Sequence, residues 1–176
     1  MKFMHMLASV GLLAAVTASS FAQVGARPQI YSDVVPPERG TAEIGLAFSA
    51  NLDKPSSQSL DLKYLPYLNR QVQIGGEFSY DHAGSFSGGF LNLIGNYNFV
   101  PNATTDYAIN RTIPYVGLAA GISYGDYDGS VWGAQAGVKH FLTNDVSLFA
   151  ELQWRDFSDT DDDNTRLLVG INTYLR

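Results

Sequence analysis

Seven ionisable side chains lie on the polar sides of alternating runs in this chain: Glu43, Asp61, Lys63, Glu77, Lys139, Glu151 and Arg155. Gln71, Gln73, Asn92, Asn96, Gln135 and Gln153 share those sides. Four acids against three bases, interleaved with amides, can neutralise one another in a hydrogen-bonded interior. The same set, if wet, would gate a path for ions. Buried charges demand partners, because an unpaired one costs several kcal/mol, and the narrow bore expected of an eight-stranded barrel favours the structural role.

Two other groupings carry chemical potential. His82 sits beside Asp81 and near Ser79 and Ser85. These are the residue types of a general base, an orienting acid and a nucleophilic hydroxyl. All are common residues around one turn, so the plainer reading is a solvated loop histidine. His140, beside Phe141 at the opposite turn, reads as interfacial, and His5 belongs to the leader. Asp159, Asp161, Asp162 and Asp163 offer oxygen ligands to a hard cation such as Ca²⁺. The spacing lacks the glycine and distal glutamate of an EF-hand, so this run reads as a solvated loop. No catalytic, cofactor-binding or metal site is expected.

The elements that must position these groups are strands. Between residues 131 and 157 two alternating runs flank a polar turn at Thr143, Asn144 and Asp145. Val146, Leu148, Ala150, Leu152 and Trp154 fall on one face of the second run. Ser147, Glu151, Gln153 and Arg155 fall on the other, with Phe149. Trp132, Ala134, Ala136 and Val138 oppose Gly133, Gln135, Gly137 and Lys139 in the first. A period of two means strand. The runs exceed the usual soluble strand of about five to six residues and reach the roughly nine to eleven that a tilted strand needs to cross a bilayer. A charged face cannot be a dry apolar core, so the expected object is a barrel with apolar residues toward lipid and polar ones toward the lumen.

Composition agrees. The chain has 176 residues, no cysteine and 45% hydrophobic residues, with ten Tyr, ten Phe and 17 Gly. Outside the N-terminus there is no apolar run long enough for a membrane helix, which excludes a helical multi-span protein. A net charge of −6 and a pI near 4.8 argue against nucleic-acid binding. Residues 1–22 read as a secretory signal: Lys2, then an apolar region over 6–16, then Ser20, Phe21 and Ala22 at the cleavage site. Residues 23–40, with Pro28, Pro36 and Pro37, read as a periplasmic lead-in, and 41–176 as the barrel domain.

Alternation from Thr41 onward gives eight strands, separated by breaks at 53–57, Asn69-Arg70, 81–87, 101–110, 125–129, 143–145 and 158–164. The expected fold is all-β: an eight-stranded antiparallel transmembrane up-and-down β-barrel. Closure removes the unpaired edges that hydrocarbon penalises. A lipocalin-like soluble barrel is the rival, with the faces reversed, and alternation alone does not separate the two. Aromatic placement does: Phe48, Tyr80, Trp132, Trp154 and Phe157 group near one set of loops, Tyr64, Tyr97, Phe99 and Tyr174 near the other. Two belts suit two membrane interfaces.

The stretches PYVGLAAGISYG (114–125), GVKHFLTNDVSLFAELQWR (137–155) and LPYLNRQVQIGG (65–76) resemble the outer-membrane β-barrel family of the OmpA transmembrane domain and the OmpX-like small barrels. The resemblance implies fold and an outer-membrane location in a Gram-negative bacterium, and says little of activity. It implies as partners the outer-membrane lipid and lipopolysaccharide, the latter through divalent ions shared with the acidic loop, and the barrel-assembly machinery through the C-terminal strand. There the family usually ends in Phe, whereas Tyr174 is followed here by Leu175 and Arg176. No OmpA-type peptidoglycan-binding domain is expected after the barrel. The expected role is structural or one of surface interaction, non-enzymatic, without cofactor, as a monomer. A narrow pore is the alternative. A lipid A-modifying enzyme built on His82 is the second, since barrel deacylases place a His–Ser pair at the outer rim. The short loops disfavour a large adhesin surface.

Overall fold

The computed structural model describes residues 36–52, 58–83, 86–100, 111–125, 129–158 and 163–176. The expected leader, most of the lead-in, the 101–110 connection and Asp159, Asp161 and Asp162 lie outside them. Eight strands follow one another: β1 (Ala42–Asn51), β2 (Gln58–Pro66), β3 (Val72–Ala83), β4 (Phe86–Asn98), β5 (Thr112–Gly125), β6 (Gly129–Phe141), β7 (Val146–Phe157) and β8 (Asp163–Leu175). Each pairs antiparallel with the next, and β1 pairs with β8 from Ala42↔Leu175 to Asn51↔Arg166, so the sheet closes on itself.

The period-two pattern dictates which way each side chain looks. Leu118 and Val169 are 71% and 58% exposed, whereas Glu151 and Arg155 are 1% and 0%. The apolar face is therefore the outer wall, and the charged face is the lumen. That is the reverse of a soluble ligand-binding barrel. Leu152 is on the outer face yet only 8% exposed; its register neighbours there are Ala136 and Leu167.

The start of β1 and the end of β8 share one end of the barrel with the β2–β3 and β6–β7 turns, the end of β4 and the start of β5. We call this the turn end and the opposite one the loop end. At the turn end, Asn69 Oδ1 accepts hydrogen bonds from the Gln71 and Val72 amides, at 2.8 and 2.9 Å, which is how Asn folds a tight reversal. Pro66 closes β2, as expected of a residue without an amide donor.

Four expectations need correction. The loop expected at 81–87 is ladder: Asp81 pairs with Gly88 and His82 with Ser87, leaving only residues 84–85 between the strands. Turn-forming residue types mark the segment, but a lumenal partner for Asp81 holds it extended. Gln71 is in the β2–β3 turn and exposed, not in the lumen. Phe157 and Tyr174, assigned to the outer belts, are 3% and 4% exposed and point inward. Their distance along the strand suits a belt, but their parity puts them on the lumenal face.

Two glycines allow the sheet to curl around this filling. At Gly133 an added Cβ would collide with the Trp154 carbonyl oxygen and sit 3.0 Å from the Arg155 side chain, its register partner. On the outer wall Gly89 leaves a gap that Tyr124 covers, donating its hydroxyl across β4 to the Ser79 carbonyl at 2.7 Å. Replacing Gly133 with Val crowds both the β7 backbone and the Arg155 stem. It should cost about 2 kcal/mol or more, read as a lower urea midpoint in micelles and less of the compact, heat-sensitive gel form. A Gly133→Val barrel as stable as the parent contradicts this packing account.

Candidate functional site

The lumen is filled by three ionic clusters in series. Nearest the turn end, Lys139 on β6 reaches Glu43 on β1 at 2.6 Å, Gln73 Oε1 at 2.8 Å and Asn98 Oδ1 at 3.4 Å. Gln73 donates to Glu43 at 2.9 Å. In the middle, Glu151 on β7 accepts from Lys63 on β2 at 2.5 Å, from the Tyr115 hydroxyl at 2.6 Å and from Gln153 at 2.6 Å. Glu77 on β3 lies 3.5 Å from Lys63 and accepts from Arg155 at 3.1 Å, Asn92 at 3.0 Å and Gln153 at 2.6 Å. Arg155 also donates to Gln135, which donates to Asn96. Toward the loop end, Arg166 on β8 holds Asp61 at 3.1 Å and Asp81 at 3.2 Å, with Ser79 at 2.9 Å and Ser59 at 3.3 Å.

These clusters are continuous. Gln153 donates to both central carboxylates and accepts from Arg166. The Tyr115 ring lies under the Lys139 ammonium, 4.7 Å from its centroid, while its hydroxyl holds Glu151. Such a cation over a ring face is attracted by the ring quadrupole. Most of the pairs join strands that are not neighbours. Lys63–Glu151, Lys139–Glu43 and Arg155–Glu77 tie opposite walls of the barrel together across the bore.

Apolar layers bound the ionic stack. At the turn end Tyr67, Ile113, Phe141 and Tyr174 form a buried cluster, with the Phe141 and Tyr174 rings stacked at 5.1 Å. Tyr174 bonds Ser147, and Tyr67 donates to Glu43. Arg111 hydrogen-bonds the Phe141 and Leu142 carbonyls beside them. At the loop end Phe90, Val131 and Phe157 close the stack, and the Arg166 guanidinium lies 4.5 Å over the Phe90 ring. Each ion thus lies in a medium with little water, where Coulomb attraction is strong and an orphaned charge is costly.

The seven lumenal ions expected from sequence are placed as follows. Lys63, Glu77, Glu151 and Arg155 meet in the central cluster, Glu43 and Lys139 form the turn-end pair, and Asp61 belongs to the loop-end cluster. The organising residue of that last cluster, Arg166, and its second acid, Asp81, are absent from the expected set. Parity carries the signal for Arg166, which alternates with Leu167 and Val169. Asp81 keeps the parity of Glu77 and Ser79 but looks like part of a turn. Of the His82 grouping, the described members do not meet. Asp81 and Ser79 face the lumen beside Arg166, His82 is exposed, and Ser85 is outside the described residues. His140 is exposed, with its Nδ1 3.0 Å from the Thr112 hydroxyl. Among the described residues no group of three or more His, Cys, Asp or Glu is arranged to hold a metal ion.

No protein-family model and no curated protein matches the chain. Solved structures do. The N-terminal β-barrel domain of Pseudomonas aeruginosa OprF superposes with a TM-score of 0.62 at 14% identity, over 79% of this chain and 100% of that one. A de novo designed transmembrane β-barrel gives 0.59 at 15% identity, over 80% and 100%. The Yersinia pestis outer membrane protein Ail, in a phospholipid bilayer nanodisc, gives 0.54 at 12% identity, over 78% and 100%. At these identities the likeness is one of fold: a closed antiparallel barrel of eight strands, of the transmembrane type.

The network predicts how the barrel fails. Lys139→Met leaves Glu43 buried without its cation and should cost about 3 to 5 kcal/mol. Adding Glu43→Gln should recover a substantial part, with a coupling energy of about 1 kcal/mol or more. Urea unfolding of the four proteins in micelles measures both values. Additive losses would mean that the two side chains do not act as a pair.

Proposed function

We propose that this chain is a bacterial outer-membrane β-barrel with a structural or surface-interaction role in the envelope, and that it catalyses nothing. The observation that carries this reading is the inversion of the wall. Leu46, Leu62, Leu93, Leu118, Ile122 and Val169 are exposed around the outside, while among the described residues ten ionisable side chains from Glu43 to Arg166 are buried. Soluble monomers seldom expose contiguous apolar surface on that scale. Hydrocarbon accepts it, because a closed barrel leaves no strand edge unpaired. Exposed aromatics stand near both ends of the wall: Phe48, Tyr80 and Trp132 toward the loop end, Tyr64, Tyr97 and Phe99 toward the turn end.

The reading extends to what lies around the wall. Residues 1–22 would direct export, β8 would present the last strand to the barrel-assembly machinery, and lipid with lipopolysaccharide would surround a monomer. The filled lumen supports the structural role over a narrow pore for solutes or ions. The separation of His82 from Asp81 and Ser79 onto opposite faces weighs against a lipid A-modifying activity built on those three residues.

The chain's two tryptophans make the test direct. Trp132 and Trp154 contact each other on the outer wall near the loop end, ring centroids 4.9 Å apart. After refolding into phosphatidylcholine vesicles, brominated acyl chains should quench their fluorescence strongly and aqueous iodide hardly at all. The opposite pattern would defeat the membrane reading. In planar bilayers the same protein should give no steady unit conductance; regular openings would favour the pore.

A further inference from the structure

The turn-end rim holds a cleft that the ionic lumen does not use. It has a volume of about 460 Å³ and is lined by Glu38, Arg39, Gly40, Thr41 and Arg176. A cavity of that size lies within the usual range for small ligands. Its floor is a fixed turn: the Thr41 amide donates to the Glu38 carbonyl at 3.0 Å, and Gly40 has a φ of +93°, as a type II turn requires. The turn is tied to the barrel by Gly40 N–H to the Tyr67 carbonyl at 3.3 Å and Tyr67 N–H to the Thr41 carbonyl at 2.8 Å. Arg39 therefore stands at the tip of a rigid turn.

The charge of this rim is lopsided. Among the described residues it carries Arg39, Arg70, Arg111 and Arg176 against Glu38 and Asp145. Glu38 is drawn to Arg70 at 3.8 Å, and Asp145 to Arg176 at 3.2 Å. Both pairs are exposed and so contribute little. Arg176 also donates to the Asn144 carbonyl, which pins its side chain at the cleft. Arg39 is exposed and has no ionic or hydrogen-bonding partner among the described residues. Two arginines line one cleft, one pinned and one without a partner among the described residues, and their guanidiniums are donors suited to phosphate oxygens.

Greasy surface begins one residue above the cleft. Leu175, Ala42 and Pro66 form a register row on the outer wall, with Leu175 54% exposed and Tyr64 and Leu68 beside it also exposed. A ligand seated on Arg39 and Arg176 would have its anion at the rim and its remainder against that wall. From this we infer that the cleft binds the phosphate of an anionic phospholipid, with the glycerol in the cleft and the acyl chains along the β1–β8 seam. This rests on the membrane reading, which supplies the lipid.

The test uses the ¹⁵N-labelled chain in nanodiscs of phosphatidylcholine with stepped phosphatidylglycerol content. The Gly40 amide and the Arg39 side-chain N–H should shift and saturate. Arg39→Gln, an exposed turn substitution outside every strand, should weaken the response at Gly40 about tenfold while β5 amides stay in place. Glu38→Gln should tighten it. Inorganic phosphate added to phosphatidylcholine discs should leave Gly40 unmoved. A response that rises without saturating, that survives Arg39→Gln, or that free phosphate reproduces would overturn the proposal. Bromolipid quenching of Trp132 and Trp154 in the same discs keeps the two readings apart. Unquenched protein fails the membrane reading, and quenched protein with a silent Gly40 fails only the cleft.

Discussion

Closure of β1 onto β8 is the constraint on which everything else in this molecule depends. Without it, two strands would each present a row of unpaired amides and carbonyls, and in hydrocarbon each such group costs several kcal/mol. With it, the sheet has an inside, and the inside has a fixed radius. Strand number and stagger together set that radius, and eight strands leave a bore about as wide as interdigitating side chains can fill. The identity of the filling then follows. The outer wall takes most of the apolar residues, so polar side chains and matched ions make up much of what turns inward, and apolar clusters such as Leu65, Ile94 and Ala119 fill the rest.

The matched ions do more than occupy space. Lys63–Glu151, Lys139–Glu43 and Arg155–Glu77 cross the bore, so each has one correct length. Slipping any strand by one residue would send its charges into lipid and its leucines into the lumen. Replacing such pairs with well-packed apolar residues can stabilise a protein. What the pairs supply is a single register and a single radius, helped by glycines such as Gly133 that let a long side chain lie flat against the opposite backbone. The aromatic layers of Tyr67, Phe141 and Tyr174 below and Phe90 and Phe157 above keep water from competing for those bonds.

Much of this is legible in the chain itself, because a period of two is the simplest signal a sequence carries. The strand count, the outward set and the inward ions all follow from parity. Parity applied to the end would also deliver Arg166. The apolar members of β8, Leu167, Val169 and Ile171, mask that signal. Asp81 is hidden for a different reason: Asp-His followed by Ala-Gly-Ser is turn chemistry, yet Asp81 and His82 pair in the β3–β4 ladder and Asp81 meets the lumenal Arg166. Phe157 and Tyr174 show that position along a strand and side of a strand are separate facts. Which ion meets which is not legible at all. Ionic partners up to 105 residues apart are chosen by curvature and stagger, which leave no local trace.

The cross-bore pairs also imply an order of events. Glu43 and Lys139 are 96 residues apart in the chain and stand on strands that come face to face only when the sheet has curled up. Arg166 reaches Asp61 across the seam itself, from β8 over β1 to β2. A half-rolled sheet therefore carries its ions wet. Dehydration of the bore and zipping of the last seam become one cooperative step, and the charges that look most deeply entombed in the finished barrel are the last to leave water.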